Sequence, residues 1–266
     1  MAKFNPDVLA QWIERDCLQP NFQALRDLLV SCVRHRISKY SDEPVAELAE
    51  EMSPSVSLAL ERRKAEYIQD AVNPPFEVSV EDEDFYYKAL PRPEVGLLNQ
   101  LRICSPRAFE VFCKMILSGL KADAVVEGGP HDGGIDFYAI GFSPGAQVNP
   151  APPTSKTVVI GQSKRYSATN DVGEVDLRSF IGGTVRKAEE LRRKHPDGFG
   201  LLTPVLLAFW TTGDFTPQAR QYARDLGIWH LNDIALAQLA TRIGLTVTDI
   251  RKAESEAAQV HRLEPS

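Results

Sequence analysis

Apolar residues recur with two different periods along the chain. In the first third they lie three and four residues apart, as expected for helices with one buried face. The helices predicted in this way cover residues 8–13, 22–33 and 54–72, the last ending before two prolines, which cannot continue a helix. This pattern predicts a helical N-terminal domain over residues 1–95.

An acidic and aromatic stretch lies near the end of this domain. Residues 81–84 are all acidic, and Phe-Tyr-Tyr follows at 85–87. We predict a solvated turn that leads into a packed helix; the alternative is an autoinhibitory segment that mimics nucleic acid. Pro91-Arg92-Pro93 is the predicted linker.

From Ser105 onward, helical and strand patterns alternate. Ser105 is typical of a helix N-cap and Pro106 of a first helical position. The elements predicted after this helix are strands over 123–128, 134–140, 157–164, 204–211 and 228–231, with helices over 174–194, from Thr216 onward and over 246–266. Such alternation indicates an α/β fold. The segment 141–153, rich in Pro and Gly, is either a surface flap or a disordered insertion.

The charge of the chain also changes near the predicted linker. The 266 residues carry a formal charge of −6, which excludes a protein that wraps nucleic acid by bulk positive charge. Residues 1–90 hold ten basic and seventeen acidic side chains, whereas residues 91–266 hold twenty and nineteen. A local basic site therefore remains compatible with the second part.

Composition also bears on compartment and metal chemistry. No apolar run is long enough to span a membrane and no signal segment is recognisable, so we expect a cytoplasmic protein without a membrane partner. The four cysteines show no CxxC spacing, which favours small core residues in a reducing compartment. The five histidines form no zinc-binding pattern.

Three polar residues on two predicted neighbouring strands are the candidate chemistry. Gln162 and Lys164 share one face of their strand, and Asp136 can lie opposite them. A carboxylate and an amide oxygen suit Mg²⁺, with Glu110 on the preceding helix as a second carboxylate. The lysine can serve the attacking water or the charge on phosphorus. The alternative is that Asp136 caps a turn and the other two lie on an exposed strand face.

Four motifs in order over about residues 104–242 carry a resemblance. They are Ala108-Phe109-Glu110, HDGGID at 131–136, GQSKRY at 161–166, and WTTGDFTPQA at 210–219 with LGIWHLND at 226–233. Together they resemble the Mrr-like restriction endonuclease family of the PD-(D/E)xK nuclease superfamily. Gln162 in place of the more common acidic residue is usual in that branch.

The resemblance implies a three-layer restriction-endonuclease-like fold with a central mixed sheet over residues 96–245. It also implies hydrolysis of DNA phosphodiesters with Mg²⁺, for which Mn²⁺ can substitute, as in restriction and antiviral defence. Asp136, Gln162 and Lys164 would be catalytic, with Glu110 as the helix carboxylate. No role transfers to residues 1–95, for which recognition, assembly or regulation through an activating ligand or partner are open.

Basic residues near these motifs are the candidate DNA contacts. Arg165 and Tyr166 directly follow the lysine and are placed to meet a phosphate or a base edge. The helix over 174–194 contributes Arg178, Arg186 and Lys187, although a charge run on a helix is commonly a solvated face.

The glycine-rich segment before Asp136 has a structural and a functional interpretation. Gly128, Gly129, Gly133 and Gly134 favour a sharp turn or a close approach to the site over a nucleotide-binding loop, since no Gly-Lys-Ser/Thr follows. His131 and Asp132 are turn residues or groups that support the site from behind.

Three functional hypotheses follow from the sequence. The first is a metal-dependent DNA endonuclease. The second is a nuclease fold that binds nucleic acid or a protein partner without cutting, and the third is a nuclease that is latent until its N-terminal domain is engaged. Many such nucleases pair active sites as homo-oligomers, and no interface signature here fixes the number of subunits.

Overall fold

The structure is a computed structural model of the chain. It forms two compact units that meet between Pro93 and Glu94, directly after the Pro-Arg-Pro sequence. Within the described part of the chain, no helix is both long and apolar enough to cross a membrane. The residues described are 4–37, 42–81, 84–127, 134–142, 156–167 and 170–263.

The first unit combines helices with a small antiparallel sheet in the order β1-β3-β2. Its core is formed by apolar residues from all three helices and from β2 and β3. Its elements are α1 (Pro6–Trp12), a π-helical turn (Ile13–Cys17), β1 (Gln23–Ala24), α2 (Leu25–Arg36), α3 (Asp42–Gln69), β2 (Phe76–Glu81) and β3 (Asp84–Ala89).

The predicted helix after the acidic stretch is wrong, because this segment is a strand. β3 pairs antiparallel with β2, and Glu81 lies opposite Asp84. Alternate positions explain the strand: Tyr87 is fully buried, with its ring edge-on to Phe76 at a centroid distance of 5.9 Å, while Tyr86 is only partly covered. A period of two therefore fits these aromatic residues better than a helical one.

The helix predicted to begin at Pro54 begins twelve residues earlier, at Asp42. Pro54 lies inside α3 and is exposed. A proline there removes one backbone hydrogen bond, and its cost is small where the freed carbonyl can reach water.

The second unit is a five-stranded sheet with helices on both faces. The strand order is β10-β8-β6-β5-β4; β6, β8 and β10 run parallel, and β4 and β5 are antiparallel to their neighbours. Its elements are α4 (Val95–Ile103), α5 (Pro106–Gly119), β4 (Asp123–Val126), β5 (Phe137–Phe142), β6 (Thr157–Lys164), β7 (Asp171–Val172), α6 (Glu174–Lys194), β8 (Val205–Thr211), β9 (Asp214–Phe215), α7 (Pro217–Asp225), β10 (Trp229–Leu231), α8 (Asp233–Arg242) and α9 (Val247–Leu263). The predicted α/β class with a central mixed sheet is confirmed.

Two helical layers enclose this sheet. On one face, α6 and α7 bury an apolar cluster that includes Phe180 and Phe209. On the other face, α5 packs against β4, β5 and β6. The segment 246–266, which the sequence sets apart, contributes α9, and α9 packs on α5 within this unit.

Local capping signals fix two helices of the unit. The Ser105 hydroxyl accepts a hydrogen bond from the backbone N–H of Ala108 at 3.2 Å, as an N-cap does. Thr216 caps α7 in the same way through Ala219, also at 3.2 Å. Both helices have proline in their first turn, so the predicted starts of α5 and α7 are confirmed.

Candidate active site

Asp136 lies directly before β5, where that strand joins β6. Its backbone N–H donates to the carbonyl of Gly161 at 2.9 Å, and its own carbonyl accepts from Glu127 at the end of β4 at 2.8 Å. Its carboxylate oxygen Oδ2 accepts two hydrogen bonds from Ser163, one from the backbone N–H at 2.6 Å and one from the hydroxyl at 3.1 Å. Asp136 is thus fixed to both neighbouring strands.

The pleat of β6 sorts its residues between the two helical layers. Val158 and Ile160 belong to the cluster under α6, and the period of two places Gln162 and Lys164 on that same face. Ser163 has the opposite orientation, toward α5. The sequence prediction that Gln162 and Lys164 share one face agrees with this register.

Gln162 also approaches the segment that carries Asp136. Its side chain is 8% exposed, and a Cβ built on Gly134 would lie 3.0 Å from its Nε2 atom. Gly134 has a φ of +79°, in the left-handed region that favours glycine. A glycine at 134 therefore lets the chain turn and lets the Gln162 amide lie against it, two residues before Asp136.

Close packing explains a second glycine at the site. A Cβ on Gly161 would lie 2.1 Å from the Phe137 ring, so no larger residue fits there without displacing that ring. Phe137 in turn packs against Trp210 of β8 with ring centroids 5.0 Å apart. These contacts fix β5 to β6 beside Asp136.

Glu110 reaches the site region from α5 through an arginine. Arg107 lies one turn earlier on the helix, and its Nη1 donates to the Glu110 carboxylate at 2.6 Å and also to the backbone carbonyl of Glu127. Because Glu127 is bonded to Asp136 through its backbone, Arg107 ties Glu110 to the strand end that holds Asp136.

The pKa of the Cys113 thiol is influenced by the charges of Asp136 and Glu110. Cys113 is fully buried on α5, one turn after Glu110, and its side chain forms a hydrogen bond with Ser163. Burial raises the pKa of this thiol well above its ordinary value, and the negative charges of Asp136 and Glu110 raise it further. The two carboxylates thus act on this buried thiol in the same direction as its burial.

The donor set suits a hard divalent cation. Asp136 and Glu110 could supply two carboxylates and Gln162 an amide oxygen, whereas no group of three His, Cys, Asp or Glu in the described ranges is arranged to hold a metal. Mg²⁺ typically takes one or two protein carboxylates and completes its shell with waters and phosphate oxygens. The residues fit such an ion better than a closed zinc site.

The Thr-Thr-Gly-Asp motif after β8 holds the end of β6. Thr211 donates through its hydroxyl to the carbonyl of Lys164 at 2.8 Å. The Thr212 hydroxyl donates to the carbonyl of Tyr166 at 2.7 Å and accepts from its N–H at 2.9 Å. These threonines therefore do more than end a strand: they fix the backbone that presents the lysine.

Asp214 of the same motif is the centre of a buried polar cluster. Its Oδ1 accepts from Arg220 at 2.8 Å and from Asn232 at 3.1 Å, and its side chain is 1% exposed. The cluster joins β9 to α7 and to the N-cap of α8. Asp214 is thus a structural residue.

Arg165 and Tyr166 contact other parts of the protein. Arg165 donates to the backbone carbonyl of Arg102 at the end of α4, at 2.9 Å. The hydroxyl of Tyr166 shares a hydrogen bond with Asp176 in the first turn of α6, and burial together with that carboxylate raises its pKa. The DNA contacts predicted for both residues stay predictions.

Lys187 requires a correction. Its side chain is 4% exposed and its Nζ pairs with Glu127 at 2.7 Å and with Glu190 at 3.3 Å. A buried ammonium held by two carboxylates cannot reach a DNA phosphate, so the predicted contact is not met in this structure. The residue type and helical position suggest exposure, but Lys187 contacts Glu127 and lies over the ring of Tyr138.

The remaining basic side chains of α6 are largely balanced within the helix. Arg178 pairs with Glu174 at 2.6 Å and lies over the Tyr222 ring, while Lys194 pairs with Glu190 at 2.6 Å. Arg186 is exposed at a cleft of about 780 Å³ along the helix. The charged residues of this cleft are Arg186, Lys187, Arg193 and Lys194 with Glu189 and Glu190.

Sequence reasoning missed Ser163 and Arg107 as parts of the site. Ser163 is the middle residue of Gln-Ser-Lys, and a strand position between two candidates normally belongs to the other face. Arg107 lies three residues before Glu110, a spacing that brings side chains together on a helix and was the available signal. His131, Asp132 and Gly133 lie outside the described residues, as do Gly128, Gly129 and most of the 141–153 segment.

Comparisons with known proteins were made for sequence and for fold. No family model matches this chain, and no curated protein matches it. The MspJI restriction endonuclease in complex with a 27-mer oligonucleotide is similar in fold with a TM-score of 0.43 and 18% identity, over 65% of this chain and 40% of that chain.

Two further restriction endonucleases show a similar likeness. The DNA modification-dependent restriction endonuclease AspBHI has a TM-score of 0.43 and 13% identity, over 70% of this chain and 60% of that one. FokI has a TM-score of 0.35 and 10% identity, over 93% and 45%. The chain thus spans between 40% and 60% of these proteins.

Proposed function

We propose that this protein is a Mg²⁺-dependent DNA endonuclease of the Mrr-like kind that acts in restriction or antiviral defence in the cytoplasm. One observation carries the proposal: the Asp136 carboxylate is bonded to Ser163, between Gln162 and Lys164 on the adjacent strand. The proposal is that this carboxylate acts together with the Gln162 amide and the Lys164 ammonium at this end of the two paired strands.

In this proposal the metal is held by three residues. Asp136 and Glu110 would bind it through their carboxylates and Gln162 through its amide oxygen. The bound ion would polarise the phosphodiester and lower the pKa of an attacking water.

Lys164 would serve the reacting phosphate. Lys164 is half-buried at the end of β6, and its backbone carbonyl is held by Thr211. A cation at this position can orient the attacking water by hydrogen bonding and offset the negative charge that develops on the phosphoryl oxygens.

The DNA backbone would lie along exposed cations of the second unit. Arg178 and Arg186 on the outer face of α6 are the candidates, because both side chains are exposed. Such contacts position a duplex without reading its sequence.

The proposal is tested by cleavage of plasmid DNA with Mg²⁺ or Mn²⁺. We expect the wild type to cut, and Asp136→Ala and Lys164→Ala to lose at least about 100-fold in rate, as is usual when a group acting in the transition state is removed. Lys156→Ala is the matched control, because Lys156 is exposed just before the same strand, at its other end.

Two outcomes would overturn or redirect the proposal. If the wild type and Asp136→Ala cut equally under every condition, the catalytic assignment is wrong. If neither cuts, while DNA still binds and calorimetry finds no metal binding that depends on Asp136, the protein is a binding module on a nuclease fold. Cleavage that appears only on deletion of residues 1–90 would identify a latent nuclease.

A further inference from the structure

We infer that Ser163 is a positioning residue for the Asp136 carboxylate. The inference rests on the proposed function, since the carboxylate that Ser163 orients is the one assigned to the metal. It assigns a role to the residue between the glutamine and the lysine, which is not itself in contact with the reacting atoms.

Two donors of Ser163 converge on one carboxylate oxygen. The backbone N–H lies 2.6 Å and the hydroxyl 3.1 Å from Oδ2 of Asp136. Because both bonds end on the same oxygen, from two directions, they restrict rotation of the carboxylate about its side-chain bonds. Ser163 is 9% exposed, so little water competes for either bond.

A pre-oriented carboxylate binds a metal with less loss of side-chain freedom. Partners that orient a metal ligand are typically worth about 10- to 100-fold in metal affinity or activity. Ser163→Ala removes the hydroxyl and keeps the backbone N–H, so the effect should lie at the lower end. Metal affinity should fall, while turnover at saturating metal changes little.

The test compares Ser163→Ala with the wild type in two measurements. In calorimetric titration with Mg²⁺ we expect the dissociation constant to rise by about 10-fold. In plasmid cleavage the half-saturating Mg²⁺ concentration should rise in parallel, with the rate at saturating Mg²⁺ within about twofold of the wild type. Ser163→Thr, which keeps the hydroxyl, should restore most of the affinity.

Two controls separate positioning from a loss of stability. Ser57→Ala removes another buried serine hydroxyl, bonded to Tyr87 in the first unit at 3.1 Å, and should leave Mg²⁺ affinity unchanged. In an Asp136→Asn background, Ser163→Ala should have no further effect on the metal response, because the group it orients has lost its charge.

The outcomes distinguish this inference from the proposed function. If the wild type binds Mg²⁺ through Asp136 and Ser163→Ala binds it equally well, the positioning role is overturned and the function stands. An equal loss in both backgrounds overturns it too, because Ser163 would then act independently of Asp136. If the wild type shows neither metal binding nor cleavage, the proposed function fails, and the role of Ser163 fails with it.

Discussion

Four cysteine side chains are buried in the two cores, as predicted from their number and spacing. Their chemistry follows from burial and from local partners. Cys104 donates its thiol hydrogen to the carbonyl of Leu101 at 3.1 Å, and burial raises its pKa to about 11. A thiol held neutral in the folded state links stability to pH on the alkaline side.

For Cys104 the sign of the pH effect is fixed by the raised pKa. As the pH rises above about 9, the thiol of the unfolded chain ionises first, so the free energy of unfolding falls until about pH 11. The loss assigned to this group is about 3 kcal/mol, since each unit of pKa difference is worth about 1.4 kcal/mol. Denaturant unfolding of Cys104→Ala across this range should give a flatter curve than the wild type; parallel curves would contradict the assignment.

At the scale of elements, Asp214 joins β9 to α7 and α8. Removing it leaves Arg220 buried without its carboxylate partner, which costs about 3–5 kcal/mol for a buried ion pair. We therefore expect Asp214→Ala to lower the free energy of unfolding by about that amount in denaturant titration. Asp225→Ala at the exposed end of α7 is the control and should change stability by about 0.5 kcal/mol or less.

A second variant tests whether the buried charge of Arg220 causes the loss of stability in Asp214→Ala. Adding Arg220→Met to Asp214→Ala removes that charge and should restore part of the stability, since a buried pair can be replaced by apolar groups at little cost. If the double variant is as unstable as the single one, the loss comes from the other partners of Asp214.

Substitutions on the two faces of α6 should differ in their effect on DNA binding. Arg186 is exposed, whereas Lys187 is buried against Glu127. On the proposed function, Arg186→Ala should weaken DNA binding about equally for all sequences and reduce the salt slope by about 1. Lys187→Met removes the same charge and should leave the salt slope unchanged. If the salt slope of both variants equals that of the wild type, Arg186 does not contact DNA and α6 is not part of the DNA interface.

At the scale of the whole molecule, the chain forms two units with separate cores. The first unit packs its helices and small sheet around residues such as Leu60, and the second buries Phe180 under its central sheet. Charge follows the same division: the acidity lies in residues 1–90, while the unit with the candidate site is near neutral. A near-neutral surface permits local attraction of phosphate beside a metal site.

Two cores predict two cooperative unfolding transitions. Leu60→Ala should lower the midpoint of one calorimetric transition and Phe180→Ala that of the other, each by deleting buried apolar volume worth about 2–5 kcal/mol. A single transition shifted by both variants would show instead that the chain unfolds as one unit.

Features that depend on neighbouring residues could be predicted from the sequence. The Ser105 and Thr216 caps, the alternation of helices and strands in the second unit, and the register of Gln162 and Lys164 all follow from spacing of a few positions. Such signals are local, so they can be recognised without knowledge of the rest of the fold. The motif containing Asp136 was found in the same way.

Features that depend on contacts between distant parts of the chain could not be predicted in this way. It paired β3 with β2 where a helix was expected, buried Lys187 against Glu127, and brought Ser163 to Asp136 across two strands. Burial and hydrogen bonding between residues far apart in sequence are set by packing, which no local spacing reports. The candidate catalytic residues could therefore be predicted from the sequence, whereas the contacts that hold them in place are known only from the fold.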